Sequence, residues 1–183
     1  MRTTVAFLGL VILAAAAARA ADEMPKMPAP EKEHAWLSRF NGEWESDVEI
    51  FEAPGMPAQK MKGSESVRPI GGFWIIAENK GSFFNMPFTG VQVLGYDTQK
   101  KKYVGSWVDS MNGHLWRHEG TVDASGKILT LDSEGPCPKK PGTMSKFRDV
   151  TEFKTDDHRV MTASVEEDGK WVKMMQINFH RKK

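Results

Sequence analysis

The stretch that most limits what this chain can become is Phe88 to Thr121, FTGVQVLGYDTQKKKYVGSWVDSMNGHLWRHEGT. It holds three strand-length runs, Phe88 to Tyr96, Lys102 to Met111 and His114 to Thr121, each alternating apolar and polar residues. Between the last two stands Asn112-Gly113. Both central residues of a type I′ turn need positive φ, and Asn-Gly adopts that at least cost, so the pair predicts a tight hairpin there. On that reading Gly113→Val breaks the turn. A meander of antiparallel strands follows, with Trp107 and Trp116 on neighbouring strands.

The same punctuation runs through most of the chain. Strand patterns recur at Glu43 to Phe51, Lys60 to Val67, Phe73 to Asn79, Lys127 to Ser133, Lys146 to Phe153, Arg159 to Glu166 and Lys170 to His180. Turn residues separate them: Ala53 to Pro57, Pro69 to Gly72, Asn85-Met86-Pro87, Asp97-Thr98, Ser125-Gly126, Thr155 to Asp157 and Asp168-Gly169. The one long connection is Gly135 to Gly142. A single helix pattern, Glu31 to Asn41, precedes them, with His34 expected on its surface. Ten short strands with turns every ten or so residues predict an all-β, up-and-down antiparallel barrel; a sandwich would need long Greek-key crossovers.

Ahead of the domain, Arg2, an apolar run from Val5 to Ala18 and Ala18-Arg19-Ala20 have the layout of a signal peptide over residues 1–20. The run is shorter than the ~20 residues of a spanning helix. Residues 21–30 then read as a Pro-rich linker, and 31–183 as one domain. Met24 and Met27 are two thioethers without a third soft ligand, so linker is preferred to a Cu(I) site. The expected location is therefore periplasmic or secreted. A single cysteine, Cys137, leaves stability to the core. Removal of Arg2 and Arg19 takes the bases from 25 to 23 against 24 acids, a formal charge of −1. That balance offers no electrostatic case for nucleic acid or an anionic membrane.

Several pieces together carry a resemblance. Glu33 to Trp44, EHAWLSRFNGEW, puts a helix before Gly42-x-Trp44, which looks like the strand-opening signature of lipocalin-like (calycin) barrels. Joined to FTGVQVLGYDTQKKKYVGSWVDSM, FRDVTEFKTDDHRVMTAS and KWVKMMQINFHRKK, the pattern resembles the bacterial family catalogued as domain of unknown function 1579. The resemblance implies a lipocalin-like barrel whose Trp44 closes one end. It implies no activity and no functional residues.

Enzyme signatures are missing: there is no G-x-S-x-G elbow, no phosphate-cradling glycine loop and no H-E-x-x-H. His114 and His118, four apart on a strand, lie ~13 Å from one another, too far to share a metal ion. Yet His114, Trp116 and His118 share one face, Tyr103, Gly105, Trp107 and Asp109 another, and Val172, Met174, Gln176, Asn178 and His180 a third. Mixed polar and aromatic rows suit a lumen that holds a ligand. On the last strand the opposite assignment is open, with Trp171, Met175, Ile177 and Phe179 inside. The expected site is Trp107, Asp109, His114, Trp116, Arg148 and Gln176, around a small, partly apolar molecule. Arg148 is expected either paired to a carboxylate inside or wholly outside, since a buried lone cation is costly. Two alternatives stand beside this non-enzymatic reading. One is haem held by His114, His118 or His180; the other is a barrel enzyme with Asp109 or Glu78 as acid/base beside His114. Export itself is checked by mass spectrometry of the mature protein, whose first residue is expected at about Ala21; an intact Met1 in the exported fraction would refute the cleavage site.

Overall fold

A computed structural model describes residues 28–51, 58–83, 86–137 and 139–183. Residues 1–20, expected as a signal peptide, the 21–27 part of the expected linker with Met24 and Met27, the 53–57 break and Asn85 lie outside them. Chain order is a short helix α1 (Lys32–Trp36), a 3₁₀ turn (Leu37–Phe40), then ten strands. The strands are β1 (Gly42–Ile50), β2 (Gln59–Ile70), β3 (Trp74–Phe83), β4 (Met86–Asp97) and β5 (Lys102–Asp109). They continue with β6 (Asn112–Val122), β7 (Ile128–Pro136), β8 (Met144–Thr155), β9 (His158–Glu167) and β10 (Lys170–Arg181). Each pairs antiparallel with its neighbours in sequence, and β1 closes on β10 from Trp44↔Arg181 to Ile50↔Met175. The result is a closed up-and-down barrel without a free sheet edge.

The helix plugs one end. Leu37 and Phe40 sit in the core with Trp44, Leu94, Tyr103, Leu129, Phe153 and Phe179. Trp44 has no exposed surface, and its Nε1 donates to the Phe40 carbonyl at 2.8 Å. Trp36 and Phe40 meet Phe153 edge-on at 5.7 and 5.0 Å. Gly42 explains the signature's first position. Its φ is +115°, and a Cβ there would come within 2.8 Å of the Arg181 guanidinium, which lies over the Trp44 ring at 4.1 Å. Arg181 also donates to the carbonyls of Arg39 and Asn41, tying the last strand to the plug.

The predicted turn at Asn112-Gly113 is not formed. Both residues belong to β6, and neither has positive φ. The chain reverses one step earlier, through Ser110-Met111, because the Asp109 carboxylate accepts from Met111 N at 2.8 Å and Asn112 N at 3.2 Å. A carboxylate that caps its own turn outcompetes the Asn-Gly preference. A two-residue turn that does take positive φ at both positions is Asp168-Gly169, at 49° and 76° between paired Glu167 and Lys170.

His34 also departs from expectation. It is buried, its Nδ1 accepts from Glu31 N at 2.9 Å, and Phe73 and Tyr96 meet its ring edge-on. The helix is packed into the barrel mouth rather than across its outside, so its surface is the protein's interior. On β10 the inward residues of the C-terminal half are Ile177 and Phe179, with Met175. A register shift between Lys173 and Met175 reverses the alternation, and Trp171 therefore points outward instead of joining them. Trp44→Ala should cost about 3–5 kcal/mol, a range for large buried aromatics, whereas Gly113→Val, whose Cβ meets nothing within 4 Å, should stay within about 0.5 kcal/mol of wild type. Urea denaturation of both variants checks the pair.

Candidate functional site

The plug fills only one end. Beyond it the barrel interior is an open cavity of about 460 Å³. The inward rows that form its wall are mostly apolar, with Val48, Met61, Phe88, Phe147 and Ile177 among them. Into that wall project a few polar groups, which is the usual composition of a small-molecule site.

The sequence-predicted residues divide. Trp107, Asp109 and Trp116 line the cavity. The Trp107 Nε1 donates to Asp109 Oδ2 at 2.9 Å, and its ring stacks on Phe88 at 6.3 Å. Its space comes from Gly90, where a Cβ would lie 2.3 Å from the indole. Trp116 lies over Gly135 in the same way and meets Phe147 edge-on at 4.8 Å. His114 stands outside the lining, with Nε2 3.1 Å from the Glu134 carbonyl and its ring against Trp116 at 4.9 Å. Here β6 and β7 have splayed, since only Glu119 to Val122 pair with Asp132 to Leu129.

Arg148 and Gln176 are not brought to the lumen. Arg148 lies on the outer surface, its Nε donating to Asp132 Oδ1 at 2.7 Å and its guanidinium 4.3 Å above the Trp171 ring. It is thus paired and outside. Gln176 accepts from the Lys173 ammonium on the outer face. Arg148 was placed by residue type, and Gln176 by the half-polar row from Val172 to His180, whose opposite assignment was open. Arg148 has the opposite parity to Phe147 and Phe153 on β8, and Gln176 the opposite parity to Ile177 and Phe179 on β10. Glu78 is exposed as well.

Two polar groups of the wall were missed as a binding pair. Asp149 has the inward parity that Arg148 lacks, and His118 faces it from β6, Nε2 to Oδ2 3.6 Å. The His118 side chain is 5% exposed and its Nδ1 has no partner among the described residues. Asp149 is 29% exposed, toward the cavity. Burial pushes the Asp149 carboxyl up to about 7, with Asp132 adding to it, and brings the His118 imidazole down to about 4. Burial disfavours the charged form of each, so one cause moves the two in opposite directions.

The cavity floor is a second polar feature. Arg159 is 1% exposed, ion-paired to Glu65, and its guanidinium lies 3.9 Å over Phe179, 4.4 Å over Trp44 and 5.0 Å over Phe40. Asn79 Nδ2 donates to the other Glu65 oxygen at 3.2 Å. Burial lowers the pKa of Arg159 and Glu65 opposes it. Among the described residues no group of three or more His, Cys, Asp or Glu is placed to hold a metal ion, and no helix is long and apolar enough to cross a membrane.

Comparison with known proteins agrees with this architecture. A family described as "Protein of unknown function (DUF1579)" matches residues 29–181. No curated protein matches the chain. The crystal structure of Rv2717c from M. tuberculosis is similar with a TM-score of 0.60 at 12% identity, covering 85% of this chain and all of that one. The S-type phycobiliprotein lyase CPES from Guillardia theta is similar with a TM-score of 0.56 at 16% identity, covering 85% of this chain and 99% of that one. At these identities the likeness is one of fold.

The His118–Asp149 pair has a pH signature. Between the ordinary carboxyl value of 3.8 and about 7, the unfolded chain ionises Asp149 while the folded one does not, so this group's stability is lost as pH rises. His118 acts at the other side: as pH falls from 6.5 toward about 4, only the unfolded imidazole takes a proton, and stability is lost again. Asp149→Asn should therefore raise the melting temperature at pH 8, by an amount equivalent to at most about 4 kcal/mol, and the gain should vanish near pH 4. Thermal melts across that range check it; an equal gain at both ends would mean that ionisation is not the cause.

Proposed function

This chain belongs to the DUF1579 family, and from that premise of a shared barrel without an assigned activity we propose that it is an exported, non-enzymatic binder of a small, partly apolar molecule held in the barrel lumen. The observation that carries this is the cavity of about 460 Å³, walled by apolar and aromatic side chains with a few inward polar groups. Volumes of ~300–1,000 Å³ with this mixture are typical of ligand pockets. A protein named as a phycobiliprotein lyase has a similar fold, which is compatible with small-molecule binding by a barrel of this kind.

The acid/base alternative built on Asp109 and His114 is not favoured by their partners. Asp109 is committed to Trp107 and to its own turn, and His114 is turned to the Glu134 carbonyl. Of the three histidines considered for haem, only His118 lines the cavity; His180 is exposed, stacked on His158 at 4.5 Å.

A thermal-shift screen of fatty acids, quinones, porphyrins and small aromatics tests the proposal. A binder present at a hundred times its Kd should add about 2.7 kcal/mol by mass action and quench the fluorescence of Trp107 and Trp116. Trp116→Phe should weaken the shift, and Arg148→Met, altered only on the outer surface, should leave it unchanged. Equal stabilisation of Trp116→Phe would place binding elsewhere. A Soret band appearing with haemin, and lost in His118→Ala, would replace the reading with haem.

A further inference from the structure

Seven ionisable side chains line the lumen: the exposed Lys62 and Lys80, and Glu65, Asp109, His118, Asp149 and Arg159 on its wall and floor. Of the last five, three have partners within the protein, although the Arg159 Nε is left without one among the described residues. Glu65 and Arg159 pair with each other, and Asp109 accepts from Trp107, Met111 and Asn112. The Asp149 carboxyl makes no hydrogen bond among the described residues, and the His118 ring nitrogens make none either. At 3.6 Å, Nε2 and Oδ2 are neighbours but stand beyond hydrogen-bonding distance. The wall thus holds two facing polar groups with unfilled capacity, set in an otherwise apolar surface.

Whichever of the two carries the proton between them, the pair presents one donor and one acceptor. It is either a carboxylic acid facing a bare Nε2 or a carboxylate facing Nε2–H. A group that both donates and accepts complements either arrangement, and a hydroxyl is the smallest that does so. A carboxylate only accepts, so it cannot complement the donor and the acceptor of the pair together, and the buried Arg159 cation is already paired with Glu65. An ammonium only donates and must shed its water to enter, at high cost. Beside the pair the wall is aromatic. Trp116 precedes His118 by two positions on β6, Phe147 precedes Asp149 by two on β8, and their rings meet at 4.8 Å.

We infer that His118 and Asp149 form the recognition point for the hydroxyl of an aromatic alcohol of the phenol type, whose ring lies against Trp116 and Phe147. This rests on the lumen-binding reading above and names the chemistry of its ligand. No covalent step is involved; the hydroxyl donates to one member of the pair and accepts from the other.

Isothermal titration of the full mature chain with 2-naphthol, naphthalene and 2-naphthoate at pH 7 tests it, because the three share one ring system and differ only in the polar group. The expected order is 2-naphthol about tenfold tighter than naphthalene, the size of one good hydrogen bond, with 2-naphthoate weakest. In His118→Phe and in Asp149→Leu the naphthol preference should fall to about one while naphthalene binding is retained. The wild-type ranking needs no variant, and the 15N shifts of the His118 imidazole should move with 2-naphthol but not with naphthalene. Equal binding of all three, or tightest binding of 2-naphthoate, overturns the hydroxyl assignment and leaves the lumen as a binding site. Binding of none overturns the lumen reading itself, and this inference with it.

Discussion

Arg159 is the residue on which the plugged end of the barrel depends. Its guanidinium is enclosed by the rings of Phe40, Trp44 and Phe179, which come from the helical cap, the first strand and the last. Glu65, on the second strand, supplies its only counter-charge in the core among the described residues. The cap with the strand that follows it, the second strand and the last strand are therefore held to one cation. Such a pair is no bonus to stability in itself, since desolvating two charges consumes most of their attraction. Removing one partner, however, strands the other and typically costs about 3–5 kcal/mol. The ion pair thus acts as a specificity device: it is satisfied only when the barrel has closed and the helix has seated.

The cavity follows from the same constraint. The rings of Phe40, Trp44 and Phe179 are gathered around Arg159, and the large side chains at the other end stand in the wall instead of filling the lumen. Glycine accentuates this, because Gly90 and Gly135 leave bare backbone where Trp107 and Trp116 lie down against the wall instead of crossing the lumen. Polar groups in the remaining space have different fates. Asp109 is consumed by a turn and an indole; Asp149 is left facing an imidazole in a low-dielectric setting. That difference, rather than the number of acids, gives the lumen its chemical character.

Strand parity separates what was readable in the candidate site from what was not. Trp107, Asp109 and Trp116 were found because they alternate in register with neighbours whose inward face is unmistakable. Arg148 was chosen for its chemistry against the alternation of Phe147, and Gln176 with the half-polar row of β10; both lie outside. The choice one residue along from Arg148, Asp149, was the inward one. On β10 the register shift near Lys173 breaks the alternation, so the row with Met175, Ile177 and Phe179 inside holds for those three and fails for Trp171.

The local code of the chain, taken by itself, determined the ten strands and their order around the barrel, since these follow from period-two patterning and short turns; the Gly42-x-Trp44 closure came from the resemblance to lipocalin-like barrels. Tertiary structure decided the rest. It buried His34, because the helix docked end-on in the barrel. It paired Glu65 with Arg159 and His118 with Asp149, across separations along the chain that no local pattern encodes. Closure brings those partners together, and only closure leaves a space between them.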